Sequence, residues 1–247
     1  MSIRPYYERD GITIYHGDCR EIVPSLPVAD LVLTDPPYGI SEPGSSIGIL
    51  AGKGSKRLDF FAGDSDHAAM RSLVREACAL ALDRLKPTGS AYFWCGHRSF
   101  GDLVDLCEAR GMTTRFVVWR KAVPLPFGAG WSSAAELCVY GYPPGRTWTV
   151  SGEAPPNVID SDSYRHGQPG KLAHPTQKPT RVIRPLLLYS TNPGDLVIDT
   201  FAGSGTTLDV CAAEGRRAIG IEIEERYCEI AAKRLAQGVL PLAEAKA

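Results

Sequence analysis

The sequence lacks long apolar runs, paired cysteines and an excess of charge of one sign. No segment approaches the roughly 20 apolar residues of a membrane span, and MSIRPYYERDG at the start does not resemble a signal peptide. The seven cysteines form no CxxC pair, which argues against a disulfide framework or a zinc site and favours a reduced, cytoplasmic setting. Because the formal net charge is −1, a nucleic-acid surface would have to come from local basic clusters.

The 247 residues, 44% of them hydrophobic, predict one large α/β domain with an insertion. Apolar runs of strand type alternate with segments of helical period, which indicates a mostly parallel sheet with helices on both faces. The predicted strands are ITIYHGD, LVLTD, SAYFWC, DLVID and RRAIGIEI, with TRFVVWRK and AELCVYGY as a late pair. The predicted helices run from 66 to 85 with Pro87 beyond the end, from 98 to 110, from 180 to 190 and from 224 onward.

Two segments have no helical or strand pattern. Residues 39–66 are rich in Gly and Ser and predict a mobile loop, whose Lys53, Lys56 and Arg57 form either a solvated charge run or a patch that contacts phosphates. Residues 143–173 are rich in Pro, Gly and Ser and predict a small irregular insertion.

The segment DPPY, 35–38, follows a short apolar strand. Its two prolines restrict the backbone and carry no N–H, so Asp35 and the Pro36 carbonyl form a stiff rim without an amide donor before Tyr38. Such a rim accepts hydrogen bonds. The expected ligand is therefore an amino group on a flat molecule that can stack on Tyr38.

A second site follows the strand that ends at Asp199. Gly203 and Gly205 allow a tight turn before a helix, and Glu222 ends the next strand, where an acid can accept both hydroxyls of a ribose. A nicotinamide dinucleotide motif would need a third glycine where Leu208 stands. The pattern thus favours another adenosine-containing cofactor, although glycines that only form a turn and a solvated Glu222 would look the same.

Together these motifs resemble the β class of amino-group (N6-adenine or N4-cytosine) DNA methyltransferases that use S-adenosylmethionine. The resemblance rests on motif order and spacing over about residues 12–237, with the DPPY motif first and the cofactor turn last, and Thr200 is a mild departure from a common proline. It implies a circularly permuted, Rossmann-like class I methyltransferase sheet of seven strands. The motifs that carry it are GD at 17–18, DPPY at 35–38, HPTQKP at 174–179, DTFAGSGTT at 199–207 and GIE at 220–222.

The resemblance assigns catalysis to Asp35, Pro36, Pro37 and Tyr38. Asp35 and the Pro36 carbonyl would accept the two N–H bonds of an adenine amino group, and Tyr38 would stack on the flipped base. Asp18 would bind the cofactor's adenine amino group, unless it only caps the following helix. The full set of cofactor residues implied is Asp18, Thr176, Lys178, Asp199, Phe201, Ala202, Gly203, Ser204, Gly205, Thr206 and Glu222.

The implied activity is methyl transfer to N6 of adenine in double-stranded DNA, without a metal or a membrane. Residues 143–173 are few for a target-recognition region, so a homodimer or the 39–66 loop would share the base contacts. Cytosine N4 is the alternative target, although serine in place of Asp35 is commoner there. Methylation of RNA or protein, and a non-catalytic module that binds cofactor or nucleic acid, also stay open at this point.

Overall fold

The computed structural model describes residues 4–38, 67–125, 133–146, 154–161 and 178–237. The predicted loop with Lys53, Lys56 and Arg57 lies outside these ranges, as do Thr176 and most of the predicted insertion. In the described part of the chain, no helix has both the length and the apolar content that a membrane crossing requires.

The described elements alternate between strands and helices for most of their order. The strands are β1 (Tyr7–Arg9), β2 (Ile12–His16), β3 (Ala29–Thr34), β4 (Leu85–Cys95), β5 (Thr113–Leu125), β6 (Ser133–Tyr142), β7 (Val158–Ser161), β8 (Leu196–Asp199) and β9 (Arg217–Glu222). The helices are α1 (Cys19–Ile22), α2 (His67–Leu82), α3 (Phe100–Glu108), α4 (Thr180–Ser190), α5 (Thr206–Ala213) and α6 (Glu225–Ala236), and a short 3₁₀ helix covers Val23–Ser25.

The strands form one mixed sheet in the order β1-β2-β9-β8-β3-β4-β6-β5-β7. The five strands from β2 to β4 in this order are parallel, and β6 runs antiparallel to both of its neighbours. The sheet therefore has nine strands in the described residues, so the predicted number of seven is wrong. The two additional strands are the outermost ones, β1, which pairs with β2, and β7, which pairs with β5.

Both edge strands are short, and pairing rather than local sequence defines them. β7 lies inside the segment predicted to be irregular, and it runs parallel to β5 with Val118 opposite Val158. A strand of four residues has too few positions to show a period of two. Its extended conformation therefore comes from pairing with the neighbouring strand.

The central strands bury apolar side chains on both faces of the sheet. Along β3, Leu31 and Leu33 face a core shared with α4, α5 and α6, whereas Val32 faces a core shared with α2 and α3. This two-sided burial explains the continuous apolar run that predicted the strand. The predicted parallel sheet with helices on both faces is confirmed.

The end of α2 differs from the prediction. Leu85 continues the helical period in the sequence, but α2 ends at Leu82 and Leu85 begins β4, which also contains Pro87. The carbonyl of Arg84 accepts a hydrogen bond from the Ala29 amide, which starts the pairing of β4 with β3. Tertiary pairing overrides the local period at this position.

The neighbours β3 and β8 mark the point where the strand order reverses. The chain passes from β3 to β4 on one side and from β8 to β9 on the other. In open α/β sheets, ligands bind in the crevice outside the carboxyl ends of strands at such a point. The fold therefore places the crevice beside Asp35 and Asp199.

The glycine turn after β8 is required by helix packing as well as by backbone geometry. Gly205 has a φ of +81°, and a Cβ there would lie 2.8 Å from the Cβ of Ala231 in α6. The sequence predicts a tight turn at Gly205, and the family resemblance implies that Gly205 also lines the cofactor site. The structure shows that the missing side chain of Gly205 admits α6.

We predict that Gly205→Ala lowers the free energy of unfolding by about 2–5 kcal/mol, because a left-handed backbone and a steric contact both oppose the methyl group. Gly194→Ala is the matched control, since Gly194 has a φ of +87° and open space around its Cβ position. It should lose only the backbone part, about 1–2 kcal/mol. Urea unfolding without cofactor measures both, and equal losses would contradict the packing role.

Candidate active site

Acidic side chains lie at the carboxyl ends of three parallel strands. Asp35 follows β3, Asp199 ends β8 and Glu222 ends β9. The hydroxyl of Thr34 donates a hydrogen bond of 2.8 Å to Asp199 Oδ1, between residues 165 positions apart in the chain. The sheet thus joins Thr34, the residue before DPPY, to Asp199, the first residue of the glycine-turn motif.

Asp199 lies almost fully buried between these motifs. Its Oδ1 also accepts a hydrogen bond of 3.1 Å from the Phe201 amide, which shapes the start of the turn. Burial raises the pKa of Asp199 from an ordinary 3.8 to about 6, although hydrogen bonds from Thr207, Thr34 and the Phe201 amide oppose the rise. The carboxylate is consequently a strong acceptor in a site with little water.

Glu222 closes the other side of the glycine turn. Its Oε2 accepts a hydrogen bond of 2.8 Å from the Gly203 amide, and its Oε1 accepts one of 2.9 Å from the Glu224 amide. Burial raises the pKa of Glu222, and these backbone donors oppose the rise. Each carboxylate oxygen can accept a further donor, so Glu222 can hold the turn and still accept a ligand hydroxyl.

The other predicted cofactor residues of the glycine turn lie between the end of β8 and the start of α5. Ala202 donates its amide to the Ile221 carbonyl at 2.9 Å, which ties the turn to β9. Ala202, Ser204 and Thr206 are buried, Phe201 is half-buried, and Ile223 beyond Glu222 is 60% exposed. Phe201 and Ile223 are thus apolar side chains with exposed surface, one after the end of β8 and one after the end of β9.

Asp18 shows the alternative that the sequence left open. It is the N-cap of α1, where its Oδ1 accepts a hydrogen bond of 2.8 Å from the Arg20 amide. Its carboxylate also pairs with the Arg20 guanidinium at 2.6 Å, which lowers the pKa of Asp18. Because β2 is parallel to β9, Asp18 still lies at the same edge of the sheet as Glu222.

The DPPY motif follows the carboxyl end of β3. Pro36 is buried and Pro37 is half-buried, while the Asp35 side chain is 28% exposed. The Tyr38 hydroxyl donates a hydrogen bond of 2.8 Å to Asp35 Oδ1, and the Tyr38 side chain packs against Gly96 at the end of β4. Asp35 thus has a fixed orientation together with access to the crevice.

Lys178 contacts this rim. The sequence had assigned Lys178 to the cofactor, but its Nζ lies 2.5 Å from Asp35 Oδ2 and 3.0 Å from the Tyr38 hydroxyl. Glu136 of β6 accepts from Lys178 at 3.1 Å, and Lys121 of β5 pairs with Glu136 at 2.6 Å.

The sequence reasoning missed Glu136 and Lys121. Their signal was weak, since Glu136 is a single charged residue in β6 and Lys121 is one of three basic residues in β5. Only the pairing of β5 with β6 at the carboxyl end of β4 shows that the two charges lie next to the DPPY rim.

Known proteins resemble the chain along most of its length. The model of the DNA methylase family, which contains the N6 and N4 methyltransferases, matches residues 29–233. The type II methyltransferase M.HinfI of Haemophilus influenzae is 30% identical over 250 residues, which are 90% of this chain and 68% of that protein. The type II methyltransferase M2.LlaDCHI of Lactococcus lactis subsp. cremoris is 26% identical, over 96% of this chain and 94% of that one.

Solved structures show the same fold. The crystal structure of the M1.HpyAVI–SAM complex is 25% identical and superposes with a TM-score of 0.68, over 91% of this chain and 98% of that one. The cytosine-N4-specific PvuII DNA methyltransferase has a TM-score of 0.73 at 20% identity, over 99% of this chain and 91% of that one. The family match covers most of the chain, so the protein belongs to the DNA methylase family, the amino-group DNA methyltransferases whose methyl donor is S-adenosylmethionine.

Proposed function

We propose that the protein methylates the exocyclic N6 of an adenine that is flipped out of double-stranded DNA. The observation that carries this proposal is the position of Asp35, a partly exposed carboxylate at the reversal point of the sheet, next to Asp199. An amino group bound there meets an anionic acceptor beside the candidate cofactor crevice.

The residues around the glycine turn fit the cofactor. Glu222 has acceptor capacity for ribose hydroxyls, and Phe201 and Ile223 offer apolar surface for an adenine ring. Asp199 lies close enough to Asp35 for the two carboxyl groups to interact electrostatically. Asp18, oriented by Arg20, is the candidate acceptor for the adenine amino group. When bound, S-adenosylmethionine supplies a methyl group on a sulfonium. This methyl group is electrophilic without activation by a metal ion.

The DPPY rim would prepare the target nitrogen. The adenine amino group is a poor nucleophile because its lone pair is delocalised into the ring. Two N–H bonds donated to Asp35 and to the Pro36 carbonyl favour a pyramidal nitrogen whose lone pair is directed at the methyl group. Positioning and electrostatic stabilisation of the charge that develops on this nitrogen would supply most of the acceleration.

Tyr38 would hold the base in place. Its ring can stack on a flipped base, a contact worth about 1–3 kcal/mol. The hydrogen bond from its hydroxyl to Asp35 would fix the orientation of the ring. After transfer the nitrogen is cationic and acidic, so its proton can pass to Asp35 or to water without a strong base.

Asp35 favours adenine over cytosine. A carboxylate at the first position of the motif is the common adenine form, whereas cytosine enzymes more often carry serine. The cytosine-N4-specific PvuII enzyme shares the fold at 20% identity, which makes N4 of cytosine the alternative target. A module that only binds nucleic acid or cofactor would have no need of a rim of acceptors beside a methyl donor.

We predict that wild-type protein with S-adenosylmethionine produces N6-methyldeoxyadenosine in previously unmethylated genomic DNA, and that Asp35→Ala lowers the transfer rate on the order of 10²–10³-fold. The cofactor affinity should stay unchanged, because the turn residues and Glu222 are intact. Mass analysis of nucleosides after digestion identifies the base, and calorimetry measures the affinity.

The control for this prediction is Asp83→Ala, which removes a half-exposed carboxylate near the opposite edge of the sheet. It should transfer methyl groups at the wild-type rate. N4-methyldeoxycytidine as the product would show that the target is wrong, and an undiminished rate in Asp35→Ala would show that the acceptor mechanism is wrong.

A separate prediction concerns Glu222. We expect Glu222→Gln to weaken S-adenosylmethionine binding by about 10–100-fold, because charge-assisted hydrogen bonds to the ribose become neutral ones. Glu225→Gln, an exposed position in the first turn of α6, is the control and should bind normally. Calorimetry on folded variants decides, and normal affinity in Glu222→Gln would remove this residue from the cofactor site.

A further inference from the structure

Lys178 is one of the most enclosed charges in the described part of the protein. Its side chain is 4% exposed, and its ammonium lies between the carboxylates of Asp35 and Glu136 at 2.5 and 3.1 Å. The ring centroids of Trp94 and Tyr38 lie 5.0 and 5.3 Å from its Nζ, at a distance where aromatic faces attract cations. A buried ammonium persists only with such partners.

The charges around Lys178 alternate. Asp35, Lys178, Glu136 and Lys121 follow one another through contacts of 2.5, 3.1 and 2.6 Å, so the row carries two negative and two positive charges. Although burial opposes it, Lys178 and Lys121 lower the pKa of Glu136 to about 2. Glu136 therefore stays ionised at all working pH values and competes with Asp35 for the ammonium.

The state of Asp35 depends on this competition. Burial raises the pKa of Asp35, Glu136 raises it further, and Lys178 and the Tyr38 hydroxyl lower it. Asp199 at the end of β8 and the thiols of Cys95 and Cys138 also interact electrostatically with this carboxylate. Among these described neighbours, Lys178 is the one cation, so its removal would leave the Asp35 carboxylate beside other acids without an opposite charge.

We propose that Lys178 is a positioning residue that keeps Asp35 ionised and oriented toward the amino group of the target base, with Glu136 fixing the ammonium in place. The inference rests on the proposed role of Asp35. It assigns to Lys178 a partner other than the methionine end of the cofactor, which the sequence motif had implied.

Glu136 has a second consequence for the reaction. A lysine bound to Asp35 alone would neutralise the acceptor and would oppose the positive charge that develops on the target nitrogen. Because Glu136 shares the ammonium, Asp35 keeps negative charge with which to stabilise that nitrogen. Lys121 in turn balances Glu136, so the whole row remains neutral in the protein interior.

The pH dependence of methyl transfer tests this role. Protonated Asp35 would donate rather than accept, so the rate falls as pH drops through its pKa. Loss of Lys178 raises that pKa, since an opposite charge at this distance lowers a carboxyl pKa by about 1–3 units. In Lys178→Met the acid limb of the rate profile should move up by at least about one pH unit. At pH values below the wild-type midpoint, the variant should then be about tenfold or more slower than wild type. At high pH its rate should come within a few-fold of the wild-type rate.

Glu136→Gln is the variant of opposite sign. It removes a negative charge that raises the pKa of Asp35, so its acid limb should move to lower pH. Lys233→Met, at an exposed lysine that pairs with Glu229 in α6, is the control and should leave the profile unchanged. The experiment uses the full chain in excess over unmethylated genomic DNA, with saturating labelled S-adenosylmethionine between about pH 5 and 9.

The readouts separate the possible roles. Opposite shifts of the acid limb in the two variants support the proposal, provided that calorimetry finds wild-type cofactor affinity. A rate loss of equal size at every pH, or one explained by weaker cofactor binding, would overturn it. If Lys178→Met does not fold, an unmoved limb in Glu136→Gln overturns it alone. Failure of the proposed function would appear differently, as a wild-type product without N6-methyldeoxyadenosine, while the limb shifts would still be measurable on the base that is modified.

Discussion

The pairing of β3 with β8 is the constraint on which the rest of the structure depends. These strands are distant in sequence, yet their hydrogen bonds and the Thr34–Asp199 contact join the DPPY motif to the cofactor turn. Every element at the functional edge takes its position from this pair, since β4 and β9 extend the sheet on either side. A permuted chain can form the same site because the sheet requires neighbouring strands, not consecutive ones.

The site concentrates acids where water is scarce, and the protein stabilises each acid differently. Asp199 and Glu222 accept hydrogen bonds from backbone amides and hydroxyls, which compensate burial without a cation. Asp35 instead has an ammonium beside it, and that ammonium is shared with Glu136. An acid that organises a turn needs only fixed dipoles. In the proposed mechanism Asp35 must also stabilise a nitrogen that becomes cationic, so the ammonium beside it has to be balanced by a second acid.

The sequence was informative wherever one physical requirement dominated a segment. Two-sided burial made the central strands predictable from their continuous apolar runs. The prolines restricted the backbone of DPPY, and the glycines predicted the turn after β8. It was misleading where pairing outweighed local pattern. Leu85 follows the helical period but begins a strand, and residues 158–161 order only against β5. The count of seven strands was wrong because both additional strands are short and lie at the edges.

By itself, the sequence determined the fold class, the family and the two motifs that form the crevice, because these depend on local periodicity and on residue order. Only the tertiary structure decided which charges lie together. Lys178, Glu136 and Lys121 come from separate segments, and no local pattern relates them to Asp35. Their meeting depends on how β5 and β6 continue the sheet beyond β4. Electrostatic energy depends on distance in space and on burial, and neither is visible until the chain has folded.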